Sequence, residues 1–470
     1  MLSEAATLQI LGSIMDPTRV SLDPLTRMAY SRDASPLALK AAADGVSTHV
    51  PGAVTWPETT QEVQALVRAA ASLGATLVPW GGGSGIVGGA LAGTGSIVVD
   101  MKRMDRIIDI DPISMTVTVE AGILGAVLED RLNARGLTCG HFPQSMQSST
   151  VGGWLAHRGA GAFSTKYGRV EDLVLSIEVV LPDGQVLHTR AVPASAAGPD
   201  LGALFLGAEG TLGVVVSVVM QVFPAPEARL HRAFAVGSFS DGLEAVRGIV
   251  QRGLRPAVVR LYDPTEARDR FPSLVSDGTA VLLLLAEGDA ALTDFTLAEA
   301  SRSMMTRGAR DLGTAVGERW LAERTSTATL CRRLATAAGV ADALEVANVW
   351  SRLSATYEGM MRAMEGVVGP AGRVYGHASH FYPSGGNLYL IFEADAPDPA
   401  AVAPLYRSVL AAAFDACHAE GGTLTHHHGV GPAKDAWLAR EWGEVGLAMW
   451  RTVRQAIDPA GLMNPGTLRG

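Results

Sequence analysis

The densest group of reactive side chains in the sequence is His426-His427-His428. Imidazole is the side chain best suited to moving protons near neutral pH. The triplet stands between Gly421-Gly422 and Gly429-Val430-Gly431, a setting that favours a placed loop over a polar surface patch. If the triplet is extended, successive side chains alternate, so one or two rings face a substrate and the other faces away. A second group lies in His377-Ala378-Ser379-His380-Phe381-Tyr382, where His377 and Tyr382 fall within one strand's reach. A buried phenol can act as acid or base where neighbouring cations lower its pKa. The bland alternative is an ordinary strand aromatic. A third group is Arg260, inside the apolar run Ala257-Val258-Val259-Arg260-Leu261. A buried lone cation is costly, so Arg260 needs a partner, in the plainest case a buried salt bridge. For a metal, His377, His380 and the triplet are the only candidates.

These groups need something to act with, and the sequence supplies a cradle for it. Pro79-Trp80-Gly81-Gly82-Gly83-Ser84-Gly85-Ile86-Val87-Gly88-Gly89-Ala90 is too rich in glycine to be the interior of a helix or strand. Such a run offers unobstructed backbone N–H groups to a phosphate or pyrophosphate. Ala75–Trp80 and Ser96–Asp100 read as buried strands on either side, which separates the run from a flexible linker. Gly83-Ser84-Gly85-Ile86-Val87-Gly88 matches G-x-G-x-x-G, yet the glycines that follow deny it the helix a Rossmann unit requires.

The rest of the chain must position these parts. With 470 residues, 48% apolar and 18% charged, it can hold two or three domains with large cores. A net charge of −9 without a long basic run argues against nucleic acid. Cys139, Cys331 and Cys417 are scattered and odd in number, which suggests a reducing compartment and no disulfide framework. The N-terminus lacks a signal-peptide pattern, and no apolar run reaches the roughly 18 residues of a membrane span. The expectation is a cytoplasmic enzyme of small molecules, with peripheral membrane contact and a homodimer both compatible.

The spacing predicts a short helical segment over 1–45, then a strand ending at Pro57. A helix capped at Thr59 runs to Leu73 and stops at Gly74. Strands follow at 96–100, 106–111 and 116–120, and a helix at 122–135. A loop-rich stretch covers 137–170, and a strand at 172–181 turns at Pro182-Asp183-Gly184 into 185–190. A long strand spans 214–223, and Pro224 and Pro226 mark a boundary. Beyond it come strands at 233–236, 257–262 and 279–287 and helices at 240–252, 289–306 and 340–366. Paired strands at 373–380 and 387–394 precede a helix at 399–420. The fold class is α+β.

The glycine loop, the Ser/Thr-rich stretch 143–168 and Ala208-Glu209-Gly210-Thr211-Leu212-Gly213 together resemble the vanillyl-alcohol-oxidase (PCMH-type) flavoproteins. Within that superfamily the chain is similar to the alkylglycerone-phosphate synthases, also called alkyldihydroxyacetonephosphate synthases. The residues that carry this likeness are Thr138-Cys139-Gly140-His141, Ser149–Trp154, Tyr167–Val174, Arg260–Asp263 and His426–Gly431. The resemblance implies a two-part FAD domain over 46–226, a cap over 227–425 and a C-terminal segment, 426–470, returning to the FAD. By position, Pro79, Gly81, Gly82, Gly83, Ser84, Gly85 and Gly88 would hold the pyrophosphate. Ser145, Thr150 and Gly153 would lie along the ribityl and flavin, Arg158 would be a cofactor contact in the active-site loop, Glu209 and Gly210 would lie near the adenosine, and Asn464 at the C-terminal contact. Ser84 stands where some members carry the histidine that attaches FAD, so non-covalent FAD is expected. Gln144 replaces an acidic residue common in the family.

The same resemblance makes Tyr382 an acid/base group, with His426, His427 and His428 beside it. Arg260, Arg158 and His377 would hold an anionic substrate. The related 2-hydroxy-acid dehydrogenases have His at the Tyr389 position and Glu at the His427 position, so no metal is expected. The implied activity is hydride transfer from an alcohol or hydroxy acid to flavin N5. The alternative is acyl-to-alkyl exchange through a flavin N5 adduct.

Overall fold

A computed structural model describes residues 4–275, 278–326 and 332–470; Cys331 lies outside them. The glycine loop grows out of a small sheet in which Thr76–Trp80 runs parallel to Ser96–Asp100, with Leu77 opposite Ile97. Ala53–Thr55 lies parallel on the other side of Ser96–Asp100. The helix Thr60–Leu73 backs this sheet with Val63, Leu66, Val67 and Ala70 buried. The Thr59 side chain accepts from the Glu62 N–H, and Gly74 closes the helix at φ 62°. Both ends follow the capping chemistry of the sequence. No helix starts between Gly81 and Gly95.

A second sheet is antiparallel, in the order Ile107–Asp111, Thr116–Glu120, Val214–Gln221, Val174–Val180, Val186–His188. The third has seven strands: Arg310–Gly313, Ala228–Val236, Ala280–Gly288, Val258–Tyr262, Arg373–Tyr382, Gly385–Asp395 and Gly339–Val349. It is covered on both faces. On one face Leu282 and Leu284 pack with the helices Phe239–Gln251, Trp350–Val368 and Val402–Ala419. On the other, Leu283, Leu285, Val258 and Tyr262 join a core with Val119, Val151 and Trp154 from the N-terminal half. Arg260 shares the strand face of Val258 and Tyr262 and therefore points toward that half.

Two expectations need correction. Residues 340–349 are not helical: Gly339–Val349 is a strand paired with Gly385–Asp395 along its whole length, and the helix begins at Trp350. The alanines of 341, 343 and 347 favour helix intrinsically, and tertiary pairing overrides them. Because the strand is buried on both faces, the period-two alternation that marks a half-exposed strand is absent. Asp172 and Leu173 close a short helix, Val170–Leu173, and the strand starts at Val174. Among the described residues Pro399–Ala419 is the one helix long and apolar enough, by length and composition alone, to cross a membrane. Here its face of Val402, Tyr406, Val409, Leu410, Ala413, Phe414 and Cys417 is buried in the core.

Candidate active site

The glycine loop is held from below. An added Cβ on Gly82 would overlap the Ser148 carbonyl, and one on Gly81 would overlap the Thr150 hydroxyl. Only glycine lets these two stretches lie back to back. Thr150 caps the helix Val151–Ala156, accepting from Gly153 N–H. The Ser145 carbonyl takes the N–H groups of Ser148 and Ser149. Gly210 packs on the Pro79 ring, 3.0 Å from an added Cβ to Cγ. Among the described residues, no backbone N–H from Gly82 to Ala90 donates to a protein acceptor. That is an unfilled row of donors of the kind a phosphate takes up. His157 adds one more polar atom. Its Nδ1 lies 3.2 Å from the Gly153 carbonyl, while its buried Nε2, beside Gly85 and Gly89, has no protein partner.

The histidine triplet lies in a bent loop, not on a strand. Three carboxylates fix that loop by its N–H groups. Glu441 accepts from Thr423 Oγ1 at 2.6 Å and Leu424 N at 2.9 Å. Glu345, fully buried, accepts from Thr425 Oγ1, His426 N, His428 N and Lys434 Nζ at 2.5–3.1 Å. Glu209 accepts from Val430 N at 2.5 Å, Gly431 N at 2.9 Å and Thr467 Oγ1 at 2.7 Å. Asn464 then ties Glu209 to the glycine loop, donating to the carbonyls of Gly89 and Glu209. Glu209 and Asn464 thus direct their polar groups into the protein and join the two loops. Burial alone would raise the Glu345 carboxyl; the Lys434 ammonium and the hydrogen bond from Thr425 hold it well below its usual range.

This loop sets a line of hydrogen bonds. Tyr382 Oη is 2.7 Å from His426 Nε2, and His426 Nδ1 is 2.9 Å from His427 Nδ1. His380 lies against both rings, and its Nδ1 meets Ser164 Oγ at 2.6 Å. A bulge between Ser379 and Tyr382, with His380 at φ 50°, makes this possible. It lets Ala378 and Phe381 share the helical core while His380 and Tyr382 meet the histidine loop. All three rings of the triplet gather on one side, contrary to strict alternation. The Tyr382 phenol is pushed up, not down: burial outweighs the nearby Arg169 guanidinium. Arg169 donates to the carbonyls of His426 and Arg158, and sits 3.2 Å from Glu171.

Arg260 has its partner. Its Nη2 lies 2.7 Å from His377 Nε2, and His377 Nδ1 lies 2.8 Å from Glu266 Oε2. His377 therefore has both nitrogens engaged by the protein, which removes it from direct contact with a substrate. Tyr389 stacks on His377 at 4.7 Å and lies beside His427 and His428, joining the two groups. Arg158 is brought less close. Its side chain is half exposed, at φ 50°, and leans over Gly207 toward Glu171.

Sequence reasoning missed Glu345, Lys434, Glu266 and Arg169. Glu345 was hidden in the stretch read as helix, although an acidic residue in an apolar run was a usable signal. Glu266 stands three residues after Asp263, which caps the helix Pro264–Arg270, and so resembles a capping-box residue.

The histidines make stability pH-dependent. Burial holds His377 and His428 at about 4, and His380, His426 and His427 well below the ordinary value; His141 is at about 3. The unfolded chain takes these protons near pH ~6.5 and the folded chain does not, so their contribution is complete above that pH and is lost as pH falls. Burial raises Asp263 and Asp342 to about 7, and raises Asp33 and Glu171 as well, which acts in the opposite sense. The histidines outnumber them. Unfolding free energy is expected to fall from pH ~6.5 to ~4.5 by roughly 1.4 kcal/mol per pH unit for each net proton, and the melting temperature falls with it. Thermal melts across that range check it; a flat or inverted profile would show that the rings are not held neutral.

With this geometry in place, the relatives are informative. A family described as "FAD binding domain" matches residues 51–190. One described as "FAD linked oxidases, C-terminal domain" matches 225–468. The chain belongs to the FAD-linked oxidases: it is a flavoprotein with a PCMH-type FAD-binding domain. It is 29% identical to alkyldihydroxyacetonephosphate synthase of Dictyostelium discoideum, over 96% of this chain and 79% of that protein. It is 30% identical to the uncharacterized FAD-linked oxidoreductase YgcU of Escherichia coli K12, over 89% of each. A solved alkyldihydroxyacetonephosphate synthase structure superposes with a TM-score of 0.83 at 25% identity, covering 99% of this chain and 86% of that one.

The residues present fit FAD. The free N–H row of the glycine loop suits a pyrophosphate, and the loop cannot tolerate a Cβ at Gly82 without moving off Ser148. Gly82→Ala is expected to weaken FAD roughly 10- to 100-fold. Fluorescence titration of the apoprotein measures this, and an unchanged affinity would show that the loop does not hold the cofactor.

Proposed function

We propose that this enzyme takes hydride from the carbinol carbon of a small, anionic alcohol or hydroxy acid, with Tyr382 receiving the hydroxyl proton. The observation that carries the reading is the hydrogen-bonded line Tyr382–His426–His427, with steps of 2.7 and 2.9 Å. FAD, when bound, supplies the two-electron acceptor. Because the phenol keeps its proton at neutral pH, Tyr382 passes that proton to His426 Nε2 as it receives the substrate's. His426 in turn passes its Nδ1 proton to His427. The buried Glu345 carboxylate stabilises the positive charge arriving on this loop. Arg260 holds the anionic end of the substrate. Ser84 in the glycine loop supports a dissociable cofactor, which acid precipitation would release into the supernatant.

The test is anaerobic. Addition of 2-hydroxy acids and alcohols to the FAD-loaded enzyme should bleach the flavin. A second reading has a specific observation in its favour, the similarity to alkyldihydroxyacetonephosphate synthase along nearly the whole chain. In it, the same residues serve an acyl-to-alkyl exchange with no net reduction. If no alcohol or hydroxy acid bleaches the flavin, while an acyl-dihydroxyacetone phosphate and a long-chain alcohol yield an ether product, the first reading is overturned in favour of the second.

A further inference from the structure

We propose that Glu266 and His377 are positioning residues that fix Arg260 as a site for one small anion, a phosphate or carboxylate. The inference deepens the anionic-substrate part of the function above and rests on it. It starts from what each group can do in a hydrogen bond. A carboxylate only accepts and a guanidinium only donates. Glu266 Oε2, 2.8 Å from His377 Nδ1, therefore requires a proton on that nitrogen. Arg260 Nη2, 2.7 Å from Nε2 and 3.4 Å from Nδ1, leans on the ring edge as donor. The neighbours thus fix a neutral imidazole in a single tautomer. Burial and the Arg260 charge keep it neutral, holding its pKa at about 4.

The relay begins at the surface and ends inside. Arg270, with a partly exposed side chain, donates Nε to Glu266 Oε1 at 2.6 Å. Glu266 and His377 are 1% and 3% exposed. Arg260 and Arg270 flank the Tyr262 ring at 5.3 and 5.8 Å. Along this line Arg270, Glu266, His377 and Arg260 carry charges of +, −, 0 and +, so one positive charge has no carboxylate of its own. Arg260 Nε is buried without a hydrogen-bond partner. The strand face puts Arg260 toward the N-terminal half, and Tyr389 links His377 to His427 and His428. A guanidinium held by one edge, with an unused buried donor and an uncompensated charge beside a proton-handling group, is a receptor for an anion.

Glu266→Gln keeps the size and changes the hydrogen bonding. The Gln amide can present NH2 to His377 Nδ1, which moves the ring proton to Nε2 and sets donor against donor at Arg260. The experiment uses the FAD-loaded enzyme and follows the visible flavin spectrum during titration with inorganic phosphate, acetate and dihydroxyacetone phosphate. At least one of these should perturb the wild-type flavin saturably. Glu266→Gln and His377→Phe should each raise its dissociation constant by about tenfold. In an Arg260→Gln background, adding Glu266→Gln should have no further effect, because the carboxylate acts through the arginine. Additive losses in the double variant overturn the proposal, as they would mark Glu266 as merely structural. Unchanged anion binding in the single variants, or a wild-type flavin indifferent to every anion, also overturns it. Failure to hold FAD at all would instead refute the function on which the proposal rests.

Discussion

Replacing Glu345 with Gln should lower turnover on the order of 100-fold while FAD stays bound. The reason is the number of donors that converge on one buried carboxylate: two backbone N–H groups, a threonine hydroxyl and the Lys434 ammonium. A Gln offers one acceptor oxygen and turns its NH2 against the remaining donors. Some of these N–H groups must move away, and the loop that aims His426 at Tyr382 moves with them. The glycine loop is insulated, because Glu209 and Asn464 hold that end independently. Glu345→Ala goes further. Among the described residues it leaves Lys434, itself buried, with one hydrogen-bond partner, the Leu424 carbonyl at 3.2 Å, and the Phe414 ring at 5.6 Å. Breaking a buried pair in this way costs about 3–5 kcal/mol, and urea unfolding of the holoenzyme reads it directly. Turnover of Glu345→Gln within a few-fold of wild type would mean that the carboxylate does not shape the site.

The parts of this site that could be read from the sequence were those with unusual local composition. Six glycines in ten residues, or three adjacent histidines, announce themselves because ordinary secondary structure has little use for them. Flanking strands, caps and turns were legible for a related reason: Thr59, Gly74 and Pro182-Asp183-Gly184 satisfy backbone needs within a few residues. The groups that hold the site in shape were hidden. Glu345 reaches the histidine loop across 80–89 positions of sequence, and Glu209 reaches it across more than 200. No local pattern encodes such a contact. The bulge at Ser379–Tyr382 was hidden as well: within it His380 meets Ser164 across 216 positions of sequence, and Phe381 packs into the helical core. Hence the residues of the candidate site with unusual local composition were legible, and the carboxylates that hold them together were not.

That division matters most for Tyr382, whose environment reverses the simple expectation. A base formed by lowering the phenol's pKa would need cations close to the ring oxygen. The structure offers burial, which pushes the phenol up, and a hydrogen-bonded imidazole, which gives the proton somewhere to go. In the proposed reaction Tyr382 therefore works as one step of a relay and not as a free phenolate. Tyr382→Phe keeps the ring and removes only the oxygen. The rate of flavin reduction should fall on the order of 10²–10⁴-fold, while substrate affinity, which the proposed function assigns to Arg260, should change little. The pH profile sharpens the test. If Tyr382 ionised by itself, the wild-type rate would rise toward high pH as the phenolate formed. A relay through neutral His426 gives a rate that is flat near neutrality and falls in acid, as the imidazoles of the loop take up protons. Stopped-flow reduction across pH distinguishes the two. Full turnover in Tyr382→Phe would remove this residue from either chemistry and leave the histidine loop to act alone.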